Sequence, residues 1–289
     1  MKLLEDPIQL RHKLEHGKKI GPFTIPFTRL NPNKRIRGRP LLELAIENDL
    51  RESAYVLVEH GATVTARSLV EALKRSPRFD WLFTPSNFAQ LNENELFWVL
   101  YTAGAVGLWP VFNQLVDQAP DHVLRMRTPK GRTLYHVALE TPFLKKLLER
   151  VEPEIVADEY GFTPFHLLAK RGSTGALALL LETTNQNINA QDHKGNTALH
   201  YAVNRVKKVM LLLEHGADPL IVNQDGDTFL HKAAHVPKGG PLFEWAYLHH
   251  PELLEMRNNQ GKTPLELATP NIRKRLGYGK EEDFKSLSA

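Results

Sequence analysis

Cysteine is absent from all 289 residues. That excludes a disulfide scaffold, a thiolate zinc site, a cysteine nucleophile and thiol redox chemistry, and it accords with a reducing compartment. A dominant charge of one sign is also lacking. The 37 Lys and Arg against 33 Asp and Glu leave a net charge of +4, with pI near 9.1. A charge of that size aids solubility and calls for no nucleic acid. No apolar stretch follows Lys2 in the opening segment Met1–Pro7, so no secretory leader is expected. The phosphate-binding loop, the dinucleotide glycine fingerprint, the Gly-x-Ser-x-Gly elbow, the kinase signatures and His-Glu-x-x-His are all missing. What the chain does have is 42% apolar and 24% charged residues, enough to bury a core.

One charge-free stretch, Leu96 to Val116, is long enough to span a bilayer. Gly104, Gly107, Pro110, Asn113 and Gln114 interrupt it, so no membrane insertion is expected. Burial of Trp98, Leu100 and Val111 against protein neighbours would argue against a membrane role.

Self-similarity carries the main signal. Five segments share one pattern: Gly131–Ala138 (GRTLYHVA), Gly161–Leu168 (GFTPFHLL), Gly195–Ala202 (GNTALHYA), Gly226–Ala233 (GDTFLHKA) and Gly261–Ala268 (GKTPLELA). Their glycines stand 30, 34, 31 and 35 residues apart. A second element, Leu211–Pro219 (LLLEHGADP), recurs in kind at Val56–Ala62 (VLVEHGA). The sequence strongly resembles the ankyrin-repeat family, whose pattern is T-P-L-H-x-A followed by L-L-L-x-x-G-A-D. Weaker frames extend it toward the N-terminus. Gly38–Ala45 carries Glu43 in the histidine slot, as Glu266 does in the last copy. Ser68–Ala72 is degenerate, and Trp98–Ala103 is read with Tyr101 in that slot and Gly107 at the inter-helix turn.

Local chemistry suits such repeats. Each threonine is placed to cap a helix through its hydroxyl, with Pro164 and Pro264 at the first helical position. The histidines His136, His166, His200 and His231 recur at repeat spacing instead of converging on one point. They are read as bonding backbone of an adjacent repeat, not as catalysts or metal ligands. Gly61 and Gly216 follow aliphatic runs as left-handed caps. Asp158, Asp192, Asn223 and Asn258 each precede a repeat glycine by three residues, where side-chain capping of a turn is expected. His231 and His235, four apart on one helix, have a metal-compatible spacing, yet no carboxylate ligand accompanies them. His249 and His250 read as a helix-end pair. The basic runs Lys34–Arg39 and Arg273–Arg275 lack the interleaved aromatics of a single-strand binder and read as solvated faces.

The fold class expected is all-α, an ankyrin-repeat solenoid of about seven to eight helix-turn-helix repeats with short hairpin loops. Residues 1–35 form a capping segment. Residues 36–279 form the repeat domain, divergent over 36–130 and regular over 131–279. Residues 280–289 form an acidic tail. The repeats at 131 and 195 are short between their helices, and the repeat at 226 carries the insertion Val236–Pro241. The resemblance implies a non-enzymatic adaptor, without cofactor or metal, that holds a partner protein on its concave face and hairpin tips. Partner-binding positions expected on that basis are Tyr160, Lys170, Arg171, His193, Lys194, Asn204, Arg205, Gln224 and Asp225; Lys130, Glu159, Asn259 and Gln260 also fall at tips. The tail, with Glu281, Glu282, Asp283 and Leu287, resembles C-terminal export signals of bacterial type IVB secretion substrates. That extends the expectation to a monomeric cytoplasmic protein, or to an effector delivered into host cytoplasm to act on a host protein. The alternatives left open are an enzyme or a membrane-associated protein using the divergent repeats at 65–130.

Overall fold

The computed structural model describes residues 2–15, 31–75 and 77–277. Its helices divide into two compact units, Met1–Met126 and Arg127–Ala289. The acidic tail at 280–289 lies outside the described residues.

In the first unit, α1 (Lys2–Glu5) and α2 (Pro7–Glu15) precede a two-residue antiparallel pair, β1 (Arg35–Ile36) with β2 (Arg39–Pro40). Three helix pairs follow. They are α3 (Leu41–Glu47) with α4 (Arg51–Glu59), then α5 (Ala66–Leu73) with α6 (Pro85–Ala89), then α7 (Glu93–Val106) with α8 (Trp109–Gln118), and α9 (Asp121–Leu124) closes the unit. α3, α5 and α7 pack side by side, and α2 lies against α4. Leu10 is fully buried there, and Arg11 pairs with Glu59 at 2.8 Å.

Two expectations need correction in this unit. The long helix α7 begins at Asn92, whose side chain accepts from the Glu95 amide while Glu95 accepts from the Asn92 amide, both at 3.0 Å. Glu95 therefore fills the slot assigned to Tyr101, because a capping box three residues apart fixes where the helix starts. The degenerate frame likewise starts earlier, at Thr65, with Ser68 as its reciprocal partner. Of the three residues whose burial would argue against a membrane role, Leu100 and Val111 are buried and Trp98 is 42% exposed. The charge-free stretch is broken by Gly107 in the left-handed conformation between α7 and α8. No helix among the described residues is long and apolar enough to cross a membrane.

The second unit holds five repeats. The first opens with a single 3₁₀ turn, Leu134–His136, before α10 (Thr141–Leu148). Then come α11 (Pro164–Lys170) with α12 (Thr174–Thr183), and α13 (Ala198–Ala202) with α14 (Val206–Glu214). The last two are α15 (Phe229–Ala233) with α16 (Gly240–His249) and α17 (Glu252–Glu255), and α18 (Pro264–Leu267) with α19 (Pro270–Arg275). The slot histidine stands seven residues before the cap of the second helix for His166 and Ser173, where the first helix has seven residues, and four before it for His136 and Glu140, where only a 3₁₀ turn forms. Spacing alone does not set the length, since His231 stands eight residues before Gly239 and α15 has five residues. His235 lies beyond the end of α15, so it does not share a helix with His231 as its spacing suggested. Helices α11, α13, α15 and α18 pack in one row, and α10, α12 and α14 in a second. Phe165, Leu168, Leu177, Leu212, Phe229 and Phe243 are buried in the core. No pair could bury these faces alone, so stacking supplies the stability.

Candidate protein-binding face

The face is built from hairpins that join successive repeats of the second unit. Each hairpin is tied by one short polar side chain. Asp158 Oδ1 accepts from the Tyr160 and Phe162 amides, both at 2.9 Å. Asp192 does the same for Lys194 and Asn196, Asn223 for Asp225 and Asp227, and Asn258 for Gln260 and Lys262. Neighbouring hairpins then bond through backbone. Glu159 donates to the Lys130 carbonyl (2.9 Å), His193 to Tyr160, Gln224 to Lys194 and Asn259 to Asp225 (each 3.0 Å). The close approach explains the glycines. Gly161 has φ +81°, and a Cβ there would meet Asp192 Cα and the His193 amide at 2.8 Å.

The slot histidines fasten this ladder to the helices. In each case the threonine amide donates to Nδ1, at 3.1 Å for His136, 3.0 Å for His166, 3.1 Å for His200 and 3.0 Å for His231. Nδ1 is thus an acceptor, and the ring proton sits on Nε2. Nε2 donates to a carbonyl of the next repeat: Phe162, Asn196, Asp227 and Lys262, respectively. The threonine hydroxyls, expected to accept from helix amides, sit 2.8–3.0 Å from the same Nδ1 atoms. The reciprocal capping box forms at all five motif threonines, Thr133, Thr163, Thr197, Thr228 and Thr263, and Thr65 and Thr84 also cap their helices. Burial pushes the His136 pKa down to about 4 and lowers those of His166, His200 and His231. Both nitrogens of each ring are occupied, which leaves none for a metal or a substrate.

All nine positions expected to bind a partner are exposed. Tyr160, His193, Lys194, Gln224 and Asp225 stand on the hairpins. Lys170 ends α11, and Arg171 follows it. Asn204 and Arg205 occupy the turn from α13 to α14. Tyr160 is 47% exposed and its hydroxyl accepts from Lys130 at 3.1 Å. Lys130 also pairs with Glu159 at 2.6 Å, which pushes its pKa up.

Sequence reasoning missed what joins hairpins to helix ends. Tyr201, directly after His200, lies 5.4 Å from the Phe162 ring, and the Lys170 ammonium sits 4.7 Å above it. Its hydroxyl donates to Asp192; burial first, and that carboxylate second, raise its pKa. The position after the histidine varies from Val137 to Leu167, Tyr201 and Lys232, and that variability was the available signal. Lys208 was also missed. It is 1% exposed, and its ammonium donates to the carbonyls of Leu168 (2.6 Å), Ala169 (3.1 Å) and Gly172 (2.6 Å). These lie at the C-terminal end of α11, where a cation offsets the helix dipole.

The family model described as ankyrin repeats, in three copies, matches residues 134–223. These are ankyrin repeats. The crystal structure of the ankyrin repeat domain of Bcl-3, described as a unique member of the IkappaB protein family, covers 83% of this chain and is itself covered over 99%. Its TM-score is 0.50 at 23% identity, a likeness of fold. Among curated relatives, human inversin is 30% identical over 147 residues, which is 47% of this chain. Zebrafish (Danio rerio) neurogenic locus notch homolog protein 1 is 29% identical over 142 residues, again 47% of this chain. The chain spans only 14% and 6% of those two proteins. Ankyrin repeats are protein–protein interaction modules.

Proposed function

We propose that the chain is a non-enzymatic adaptor that holds a partner protein on the hairpin and first-helix face of residues 127–277. The contacts are assigned to Tyr160, Lys170, Arg171, His193, Lys194, Asn204, Arg205, Gln224 and Asp225. One observation carries the reading. The exposed hairpin positions rise from an over-determined scaffold in which the hairpins at 158–162, 192–196, 223–227 and 258–262 are each pinned by a capping side chain, a backbone bond and a histidine. A rigid support under exposed tyrosine and arginine is the arrangement that yields energetic hot spots.

Affinity capture with the full chain from eukaryotic lysate tests it, against a variant combining Tyr160→Ala, His193→Ala and Gln224→Ala. A protein retained by the native chain and released by the variant is the expected result. Equal retention by both, or capture that depends only on residues 31–126, sinks the proposal.

The finer reading is an effector that works, as a monomer, in the cytoplasm of a host cell. Its support is the absence of cysteine and the acidic tail Glu281, Glu282 and Asp283 followed by Leu287. A translocation reporter fused to the full chain should lose delivery when residues 280–289 are removed. Unchanged delivery contradicts an export role for the tail.

A further inference from the structure

The charges of the binding face are unevenly satisfied. Its carboxylates are already engaged: Asp158 with Arg132, Glu159 with Lys130, Asp192 with Tyr201, and Asp227 with Lys232. Asp225 also lies 3.7 Å from Lys232. The cations of the two central repeats are not. Among the described residues, Lys170, Arg171, Lys194 and Arg205 have no carboxylate at ion-pair distance, and all four are exposed. Lys170 stands over the half-buried rings of Phe162 and Tyr201, 5.4 Å and 4.7 Å from their centroids, and the two rings are tilted by 43° at 5.4 Å. Surplus positive charge next to an apolar platform is thus confined to one stretch of the face.

We propose that this stretch takes an extended acidic peptide segment of the partner, its carboxylates on Arg171 and Arg205 and an apolar side chain against Tyr201. The inference rests on the protein-binding reading above and names the chemistry of what is bound. Arg171 and Arg205 occupy equivalent places in adjacent repeats, and neighbouring helices lie about 8–10 Å apart. A polyproline II segment advances about 3.1 Å per residue with three residues per turn, so side chains three apart share one face about 9 Å from each other. Acidic residues three apart in the peptide therefore match the two arginines, and an intervening apolar side chain lies on the flank toward Tyr201. A longer polyanion such as nucleic acid fits less well, because the cations on either side of the strip, Lys130 and Lys232, are already paired with Glu159 and Asp227. The arginine forks favour carboxylate over a point contact.

The test is an anisotropy titration of the full chain with a fluorescein-labelled dodecapeptide bearing glutamate at every third position and leucine or tyrosine between. Its glutamine counterpart and a labelled oligothymidylate are run alongside. The glutamate peptide should bind, and the glutamine peptide at least about tenfold more weakly. Arg171→Glu with Arg205→Glu should weaken binding at least about tenfold, with Arg171→Gln and Arg205→Gln intermediate. Arg257→Glu, which alters an exposed arginine paired with Glu266, should leave binding unchanged. Circular dichroism melts of the glutamine variant guard against misfolding. Equal binding of the two peptides, binding that survives the double reversal, or tighter binding of the oligothymidylate overturns the inference. A captured protein lost with the Tyr160, His193 and Gln224 variant but retained by the double reversal would also overturn it, while the protein-binding reading would stand.

Discussion

Mild acid should loosen the second unit well before its carboxylates titrate. The His136 pKa is about 4 in the folded chain, pushed down by burial from its ordinary value of 6.5. A folded pKa below the unfolded one means that the unfolded chain binds the extra proton. Stability from this group is full above pH 6.5 and drains away as pH falls toward 4. The shift corresponds to about 3 kcal/mol in full, of which about 2 kcal/mol is gone by about pH 5. Beside burial, the local geometry opposes protonation: a proton on Nδ1 would face the Thr133 amide, donor against donor, at 3.1 Å. His166, His200 and His231 share the arrangement and the direction. Asp158, Asp192 and Asp227 do not contribute in this window. Burial raises their pKa values, but hydrogen bonds more than offset it and hold them below 3.8, so their stabilisation is lost only at still lower pH. Urea unfolding of the full chain, followed by far-UV circular dichroism from pH 8 to pH 4, reads the effect. His136→Gln keeps a donor and an acceptor but has no titrating nitrogen. It should reduce the slope of stability with pH by about 1 kcal/mol per pH unit between pH 6 and 4.5. A slope unchanged by the substitution would refute the reasoning.

Three further outcomes follow from the geometry. Gly161→Ala should cost about 2–4 kcal/mol, since it combines a left-handed φ with backbone atoms 2.8 Å from the new Cβ. Gly261→Ala, with φ +73° and open space, should cost only about 1–2 kcal/mol; equal losses in urea melts would contradict the close-approach argument. Lys208→Met should cost about 2 kcal/mol, because three carbonyls at the end of α11 lose their donor while the burial of an ammonium is relieved. A more stable variant would show that desolvation outweighs those bonds. Phe165→Ala, at a fully buried ring, should cost about 3–5 kcal/mol in the same assay.

The parts of the fold legible in the sequence were those written in short-range code. The left-handed turn at Gly161 and the capping box of Thr163 and His166 close within one turn and one hairpin, so their spacing alone announces that geometry. The same holds for the turn-closing bonds that Asp158 and Asn223 accept from amides two and four residues on. Frames placed by apolar likeness were less secure. Tyr101 was set in the histidine slot, although Asn92 and Glu95, with their own local capping box, mark the true start of α7. Among contacts that depend on a neighbouring repeat, the histidine-to-backbone bond was legible because it recurs with the motif, whereas those made by single, non-recurring residues were not. Lys208 looks like any helix lysine until α11 is known to end against it. Tyr201 is one variable residue until Lys170 and Phe162 are known to meet it. The candidate face was therefore readable as a set of exposed positions, but not as a charge pattern with an aromatic centre.

The central claim is that the hairpin and first-helix face of the second unit holds a protein. Site-specific photocrosslinking in the full chain tests it most directly. A photoreactive amino acid replaces His193 on a hairpin in one variant and Glu182, an exposed residue of the second helix α12, in another. Illumination in eukaryotic lysate should give a discrete protein adduct from position 193 and none from position 182. Adducts from position 182 alone, or equally from both, would contradict the account.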